Sequence, residues 1–278
     1  MAQKKNSETS NSISMKSPNM NYRYNVEYFK DINIIKSDKE ESYTLVKNDT
    51  SLSDWNREIL KFNFKKQTEY FKDINTKSSF SLVTSYPGLL IGIGNEHKIN
   101  AKETFKVGFT FDYVTGIPYI PGSSLKGLLR SYFPDLSYEK PTEEKNEKNE
   151  GLKQFINCCL EKDELDVIAI QQLKENIFDN NDVFLGAYPI MENDTPILEE
   201  EFITPHKNEL KNPIPINLIK VKPEIKFEFY FILTDFEKDG KVLITKEEKL
   251  KLFKNIILNC GAGARTNVGF GRFEEIQK

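Results

Sequence analysis

The residues best suited to holding a ligand lie at the end of the chain. Gly261-Ala262-Gly263-Ala264-Arg265-Thr266-Asn267-Val268-Gly269-Phe270-Gly271-Arg272-Phe273 places four glycines and two arginines within thirteen residues. Glycine has no Cβ, so the backbone turns tightly there and comes close to a ligand. A row of backbone N–H groups beside an arginine suits a phosphate chain. Gly261, Gly263, Arg265, Thr266 and Asn267 are the residues such a loop presents. A plain helix-to-strand turn with glycine caps fits the same spacing equally well. The binding reading gains from a second segment of like character, Tyr119-Ile120-Pro121-Gly122-Ser123-Ser124-Leu125-Lys126-Gly127-Leu128-Leu129-Arg130. Ser123 or Ser124 can cap a helix that starts there, which leaves the first-turn amides as an anion site. Lys126 and Arg130 are four apart and share one helical face, where they can neutralise phosphates. Taken alone, this segment is also accounted for by an ordinary capped helix with solvated basic side chains. It does not follow the P-loop order.

Other chemistry is thinner. Gly92 and Gly94 lack the third glycine and the following helix of a dinucleotide fingerprint, so a close chain crossing is the better reading. There are only two histidines, His97 and His206. Either can contact RNA or act as a general base, though a lone histidine is more often a loop hydrogen-bonder. Asp112, next to Tyr113, is a candidate carboxylate without a carboxylate partner in sequence. Three cysteines, two of them adjacent (Cys158 and Cys159), form neither a disulfide framework nor a metal spacing. No zinc or two-metal motif and no cofactor motif is read. Residues 205–221 mix Lys207, Lys211 and Lys220 with Ile214, Ile216, Leu218 and Ile219. They read either as a projecting β-hairpin whose apolar edge wedges between bases or as a loop covering the core.

The elements that must position these residues are interleaved. Helical patterns cover 51–73, the segment starting near Ser123, 152–177 and 246–259, the last with Leu250, Phe253 and Ile257 on one face. Strand patterns cover 79–83, Phe105 to Phe111 at alternate positions, 183–187, Phe227 to Leu233 at alternate positions, and 268–273. Residues 1–40 show little periodicity and read as a disordered or irregular N-terminal segment. Residues 41–278 read as one domain with insertions at about 134–151, a solvated loop, and 191–222, a long excursion. The expected class is α+β, a ferredoxin-like sheet layered with helices.

Composition limits the function. Of 278 residues, 38% are hydrophobic, enough for a core, and no run approaches the ~20 apolar residues of a membrane span. The N-terminus has no apolar stretch after its lysines, so no secretory signal is read and the expected location is the cytoplasm. A net charge of -3 argues against a protein that grips bulk nucleic acid by charge alone. From residue 241 onward, however, eight Lys/Arg stand against four Glu, and the glycine-rich loop lies within that stretch.

Together, residues 119–130 and 261–273 resemble the paired signatures of the RAMP superfamily of CRISPR proteins, a "PGSSLKG" helix start and a C-terminal glycine-rich loop. Two further stretches narrow the likeness. Tyr86-Pro87-Gly88-Leu89-Leu90-Ile91-Gly92 before Phe111-Asp112-Tyr113-Val114-Thr115-Gly116-Ile117-Pro118 is similar to the sixth-subunit family of the type III-B Cmr effector complex. So is Ala187-Tyr188-Pro189 followed by Ile203-Thr204-Pro205-His206 and Asn212-Pro213-Ile214-Pro215. The resemblance covers roughly residues 80–133 and 183–273. It implies an RNA-recognition-motif-like ferredoxin fold and a non-catalytic subunit that binds guide RNA (crRNA) near its 3′ end in antiviral defence. It also implies a guide–target RNA duplex and other Cmr subunits, the backbone RAMP subunit above all, as partners. Ser123, Ser124, Lys126, Arg130, Gly261, Gly263, Arg265, Thr266, Asn267 and His206 are then the expected RNA contacts, with bases left free for pairing. The competing expectations are a RAMP endoribonuclease that processes the guide precursor through His97 or His206, and the equivalent end subunit of a type III-A complex.

Overall fold

A computed structural model describes residues 15–30, 32–36, 43–47, 50–94, 104–105, 108–136, 142–161, 165–204 and 215–276. In chain order the elements are α1 (Met20–Tyr22), continued by a π-helical turn (Arg23–Glu27), β1 (Ile32–Lys36), β2 (Tyr43–Lys47), β3 (Thr50–Ser51), α2 (Leu52–Leu60), β4 (Lys77–Thr84), α3 (Gly122–Ser131), α4 (Glu143–Leu160) and α5 (Val167–Asn176). They continue with β5 (Val183–Pro189), β6 (Leu198–Ile203), β7 (Ile216–Val221), β8 (Lys226–Ile232), β9 (Phe236–Lys238), β10 (Lys241–Ile244), α6 (Lys246–Cys260) and β11 (Phe273–Glu274).

The central sheet has the order β11-β4-β8-β5, antiparallel throughout. Along the chain its parts run β4, α3, β5, β8, α6, β11. The first and third strands therefore lie in the middle, and each half contributes one helix. This is the β-α-β-β-α-β ferredoxin-like arrangement. Alternation in β8 puts Phe227, Phe229 and Phe231 in the core. Phe253, Ile256 and Ile257 of α6 are fully buried with them. α6 starts at a capping box in which Thr245 and Glu248 exchange bonds. A buried ion pair pins the layers together. Lys249 Nζ lies 2.8 Å from Asp182 Oδ2 and 2.6 Å from Asn176 Oδ1, and both charged side chains are fully buried. Burial holds the Lys249 ammonium below its usual pKa, against the pull of Asp182.

Several elements differ from the sequence reading. The segment expected to be irregular contains α1 and β1. Met20, Tyr24 and Tyr28, spaced by four, are buried on one face, and the Tyr28 hydroxyl donates to Asn56 Oδ1 at 2.6 Å. The expected solvated loop at 134–151 is in large part the first half of α4. Its Glu and Lys are good helix formers, and its buried side chains Ile156, Cys159 and Leu160 come only at the end. The single helix expected over 152–177 is two helices. The break is held by the Asn157 side chain, which accepts from Leu165 N and donates to Leu165 O, both at 3.1 Å. The helix over 51–73 stops at Leu60, and the chain then runs extended, Phe64 and Gln67 bridging to Thr195 and Met191. Phe105, Phe109 and Phe111 are buried, residues 106–107 of the expected strand lie outside the described residues, and among the described ones only Phe111 pairs, with Pro118. Tyr24 packs its ring on Phe105 and Phe111 instead. Residues 268–273 begin as a 3-10 turn (Thr266–Val268), and the strand starts only at Phe273.

Candidate nucleic-acid interface

The helix start is fixed from below. Ile120 and Ala187 exchange backbone bonds at 2.9 Å, which joins the chain to β5 just before α3 begins. A Cβ on Gly122 would lie 1.9 Å from the Phe184 carbonyl oxygen, so only glycine lets the helix approach that strand. Pro121 occupies the N-cap and supplies no side-chain bond. Neither Ser123 nor Ser124 is the cap, which corrects the sequence reading. Both lie inside the first turn with exposed side chains, beside amides that helix geometry leaves without an intrahelical acceptor. Lys126 is half-buried and Arg130 exposed.

The glycine-rich loop is sewn to a second run of chain. Ala264 N donates to Leu90 O and Gly271 N to Gly88 O, each at 2.8 Å, and Ala262 N donates to Gly271 O at 2.8 Å. Gly263 has φ +98°, and a Cβ there would lie 2.5 Å from Leu90 O. Phe270 and Leu90 form a small apolar cluster with Leu218 of β7, so the β6–β7 hairpin braces the loop from outside. Leu89 and Val221 also exchange backbone bonds at 2.9 Å. The described part of the 191–222 excursion thus covers apolar surface, while residues 205–214, with His206 and Ile214, lie outside the described residues, as does His97. Arg265 is held at φ +57°, and the 3-10 turn from Thr266 to Val268 follows it, with Asn267 exposed. Among the described residues no carboxylate pairs with Arg265 or Lys126. Arg272 turns back instead and donates to Asn259 O at 2.7 Å, as a brace.

These segments, distant in sequence, meet. Pro121, Ser124 and Leu128 of the helix start face Ala262, Gly263 and Ala264 of the loop across a half-open groove of about 440 Å³. Ile91 to Gly94 and Thr110 complete its wall. Gly92 is the close crossing expected from sequence, since a Cβ there would lie 2.1 Å from Thr110 Oγ1. Among the described residues none that lines it carries an ionisable side chain. The lining is backbone, one hydroxyl from each of Ser124 and Thr110, and aliphatic surface, and Arg265 stands beside it in the loop. Such a surface offers hydrogen bonds to a sugar–phosphate strand. Asp112 is used otherwise: its Oδ1 accepts from Thr115 N and Oγ1, both at 2.7 Å, and so shapes a turn. Sequence reasoning missed the Tyr119–Tyr188–Tyr70 stack, with centroids 5.2 and 4.6 Å apart, next to the helix start. Burial raises these hydroxyls, Tyr188 to about 12. The stack's members come from three separate segments, so no local pattern marks it.

The chain matches the RAMP superfamily over residues 81–274, which contains both walls of the groove. It belongs to that superfamily. Among curated relatives, this RAMP protein is 29% identical over 197 residues to the CRISPR system CMR subunit Cmr6 of Saccharolobus solfataricus, covering 69% of this chain and 56% of that one. It is 28% identical over 241 residues to Cmr6 of Pyrococcus furiosus, covering 67% and 65%. It therefore spans less than two thirds of either relative's length. Among solved structures it resembles a chain of a type III-B Cmr-beta complex bound to cognate target RNA. The TM-score is 0.52 at 23% identity, over 84% of this chain and 77% of that one, and the likeness is one of fold. Among the described residues no helix is long and apolar enough to cross a membrane.

Proposed function

We propose that this RAMP protein is a non-catalytic, guide-RNA-binding structural subunit of a type III-B CRISPR effector, equivalent to Cmr6. It acts in the cytoplasm near the guide's 3′ end, beside the backbone RAMP subunit. The observation that carries the reading is the convergence of the α3 start and the glycine-rich loop on one groove whose described lining has no ionisable side chain. That groove takes the RNA backbone through amides, hydroxyls and Arg265, and leaves the bases free for target pairing. The Cmr6 names of the two curated relatives support the choice of complex. The chain's net charge of -3 is workable because neighbouring subunits share phosphate neutralisation.

The test is purification from its own cell with sibling subunits and sequencing of the bound RNA, together with a cleavage assay on guide precursor and target. Cmr siblings and a set of guides with common ends are expected, and no cleavage by the purified chain with or without Mg²⁺ or Mn²⁺. Saturable cleavage that vanishes in His206→Ala would make it a processing endoribonuclease instead.

A further inference from the structure

A second concavity, of about 420 Å³, opens beside the same helix. Arg130 reaches it from α3, Lys145 and Lys148 from α4, and Lys174 from α5, and among the described residues Asp135 is the one carboxylate in the lining. Among the described lining residues four cations stand against one anion in a chain of net charge -3, with Asp179 and Glu175 close outside the lining. The walls are fixed rather than floppy. The Asn149 side chain accepts from Asp135 N at 3.0 Å and donates to Asp135 O at 2.8 Å, and Lys174 Nζ donates to Pro134 O at 2.7 Å. Arg130 is only loosely engaged, 3.6 Å from Asp179, with both side chains half exposed. Desolvation holds the Lys174 ammonium below its usual pKa, and Arg130 adds to this, although Asp135, Asp179 and Glu175 pull the other way. A bound anion would relieve that cost.

Position decides which anion. Ser124 and Leu128 line the groove, and Gly127, Arg130 and Ser131 line this pocket, so the two sites share one helix on adjoining faces. At about 1.5 Å rise per residue, Ser124 and Arg130 are separated by roughly 9 Å along the axis, a span that a few nucleotides cross. A Cβ on Gly127 would meet nothing within 4 Å, so no side chain stands between the sites there. We propose that this pocket seats a phosphate-bearing nucleotide of the RNA strand that occupies the groove. The proposal rests on the groove being an RNA site, and it extends the footprint to α4 and α5, outside the ferredoxin-like core.

The test compares Lys145→Ala/Lys148→Ala with Arg265→Ala in the full chain. Binding of a labelled single-stranded RNA of about twelve nucleotides is followed by anisotropy across a salt series. The pocket variant is expected to weaken binding about 5- to 30-fold at low salt. It should also flatten the log–log salt slope by about 0.7, for one phosphate no longer neutralised, with an unchanged melting temperature. If Arg265→Ala weakens binding while the pocket variant keeps both affinity and slope, the pocket is overturned and the groove stands. If the parent chain shows no saturable binding, or neither variant weakens it, the groove reading falls and the pocket with it. An unchanged RNA isotherm with loss of sibling subunits on purification also overturns the proposal, and marks the pocket as a protein contact.

Discussion

Arg265 combines two properties that separate at the bench. Its φ of +57° costs about 1–2 kcal/mol in a residue with a Cβ, and no carboxylate among the described residues compensates it. Arg265→Gly relieves that strain but adds unfolded-chain entropy of about 0.5–1 kcal/mol. Its melting temperature should therefore hold or rise slightly, while RNA affinity falls by the ~1.5–3 kcal/mol of a charge-assisted contact. A variant that melts lower and binds RNA normally would make the arginine a fold brace. The loop glycines are not equivalent either. Gly269 has φ +99° but open space, its nearest contact Pro87 Cδ at 3.6 Å, whereas Gly263 also abuts Leu90 O. Gly269→Ala should cost about 1–2 kcal/mol in denaturant melts and Gly263→Ala clearly more. Glycine-rich composition was legible in the sequence. Which glycine carries a steric constraint was not, because the Leu90 carbonyl comes from far along the chain.

At the scale of elements, α3 and α6 each do two things. α3 presents its start to the groove and its Lys126 and Arg130 to solvent. The double variant Lys126→Ala/Arg130→Ala should retain its melting temperature, since the Arg130–Asp179 pair is long and exposed. The same variant should flatten the RNA salt slope by roughly 0.7 for each phosphate that the two cations neutralise. α6 delivers the loop and is anchored by Lys249. Asp182→Ala leaves that ammonium buried without its counter-charge and should cost about 3–5 kcal/mol, read by urea denaturation. A destabilisation below about 1 kcal/mol would show that the pair does not tie α6 to β5. Both helices were legible in sequence, α6 through apolar periodicity and α3 through its Pro-Gly-Ser-Ser start. Of α4 only the part from Leu152 onward was, because its first half is charged.

At the scale of the whole molecule, residues 15–28 of the N-terminal segment belong to the core, while residues 1–14 lie outside the described residues. Met15, Met20, Tyr24 and Tyr28 are in the same buried cluster as Phe105, Phe111 and Trp55. A chain begun at residue 41, as a domain boundary read from sequence would dictate, uncovers those aromatic rings. It should melt several degrees lower or aggregate, as followed by calorimetry and light scattering. Equal stability of the shortened chain would return the segment to the status of an appendage.

Local pattern was enough to establish the α+β class, both helices and three of the four strands of the central sheet, and the two motifs that mark a RAMP protein. Each is a property of neighbouring residues: alternation in β8, apolar positions on one face of α6, glycines where the backbone must turn. Only the folded chain shows that Pro121 rather than a serine caps α3, and that Asp112 shapes a turn. Only there do the helix start, the 91–94 run and the loop close on one groove beside a basic pocket. Those facts depend on backbone atoms brought together from distant segments. No window of neighbouring residues contains the Leu90 oxygen against Gly263, or Lys145, Lys148 and Lys174 around Arg130.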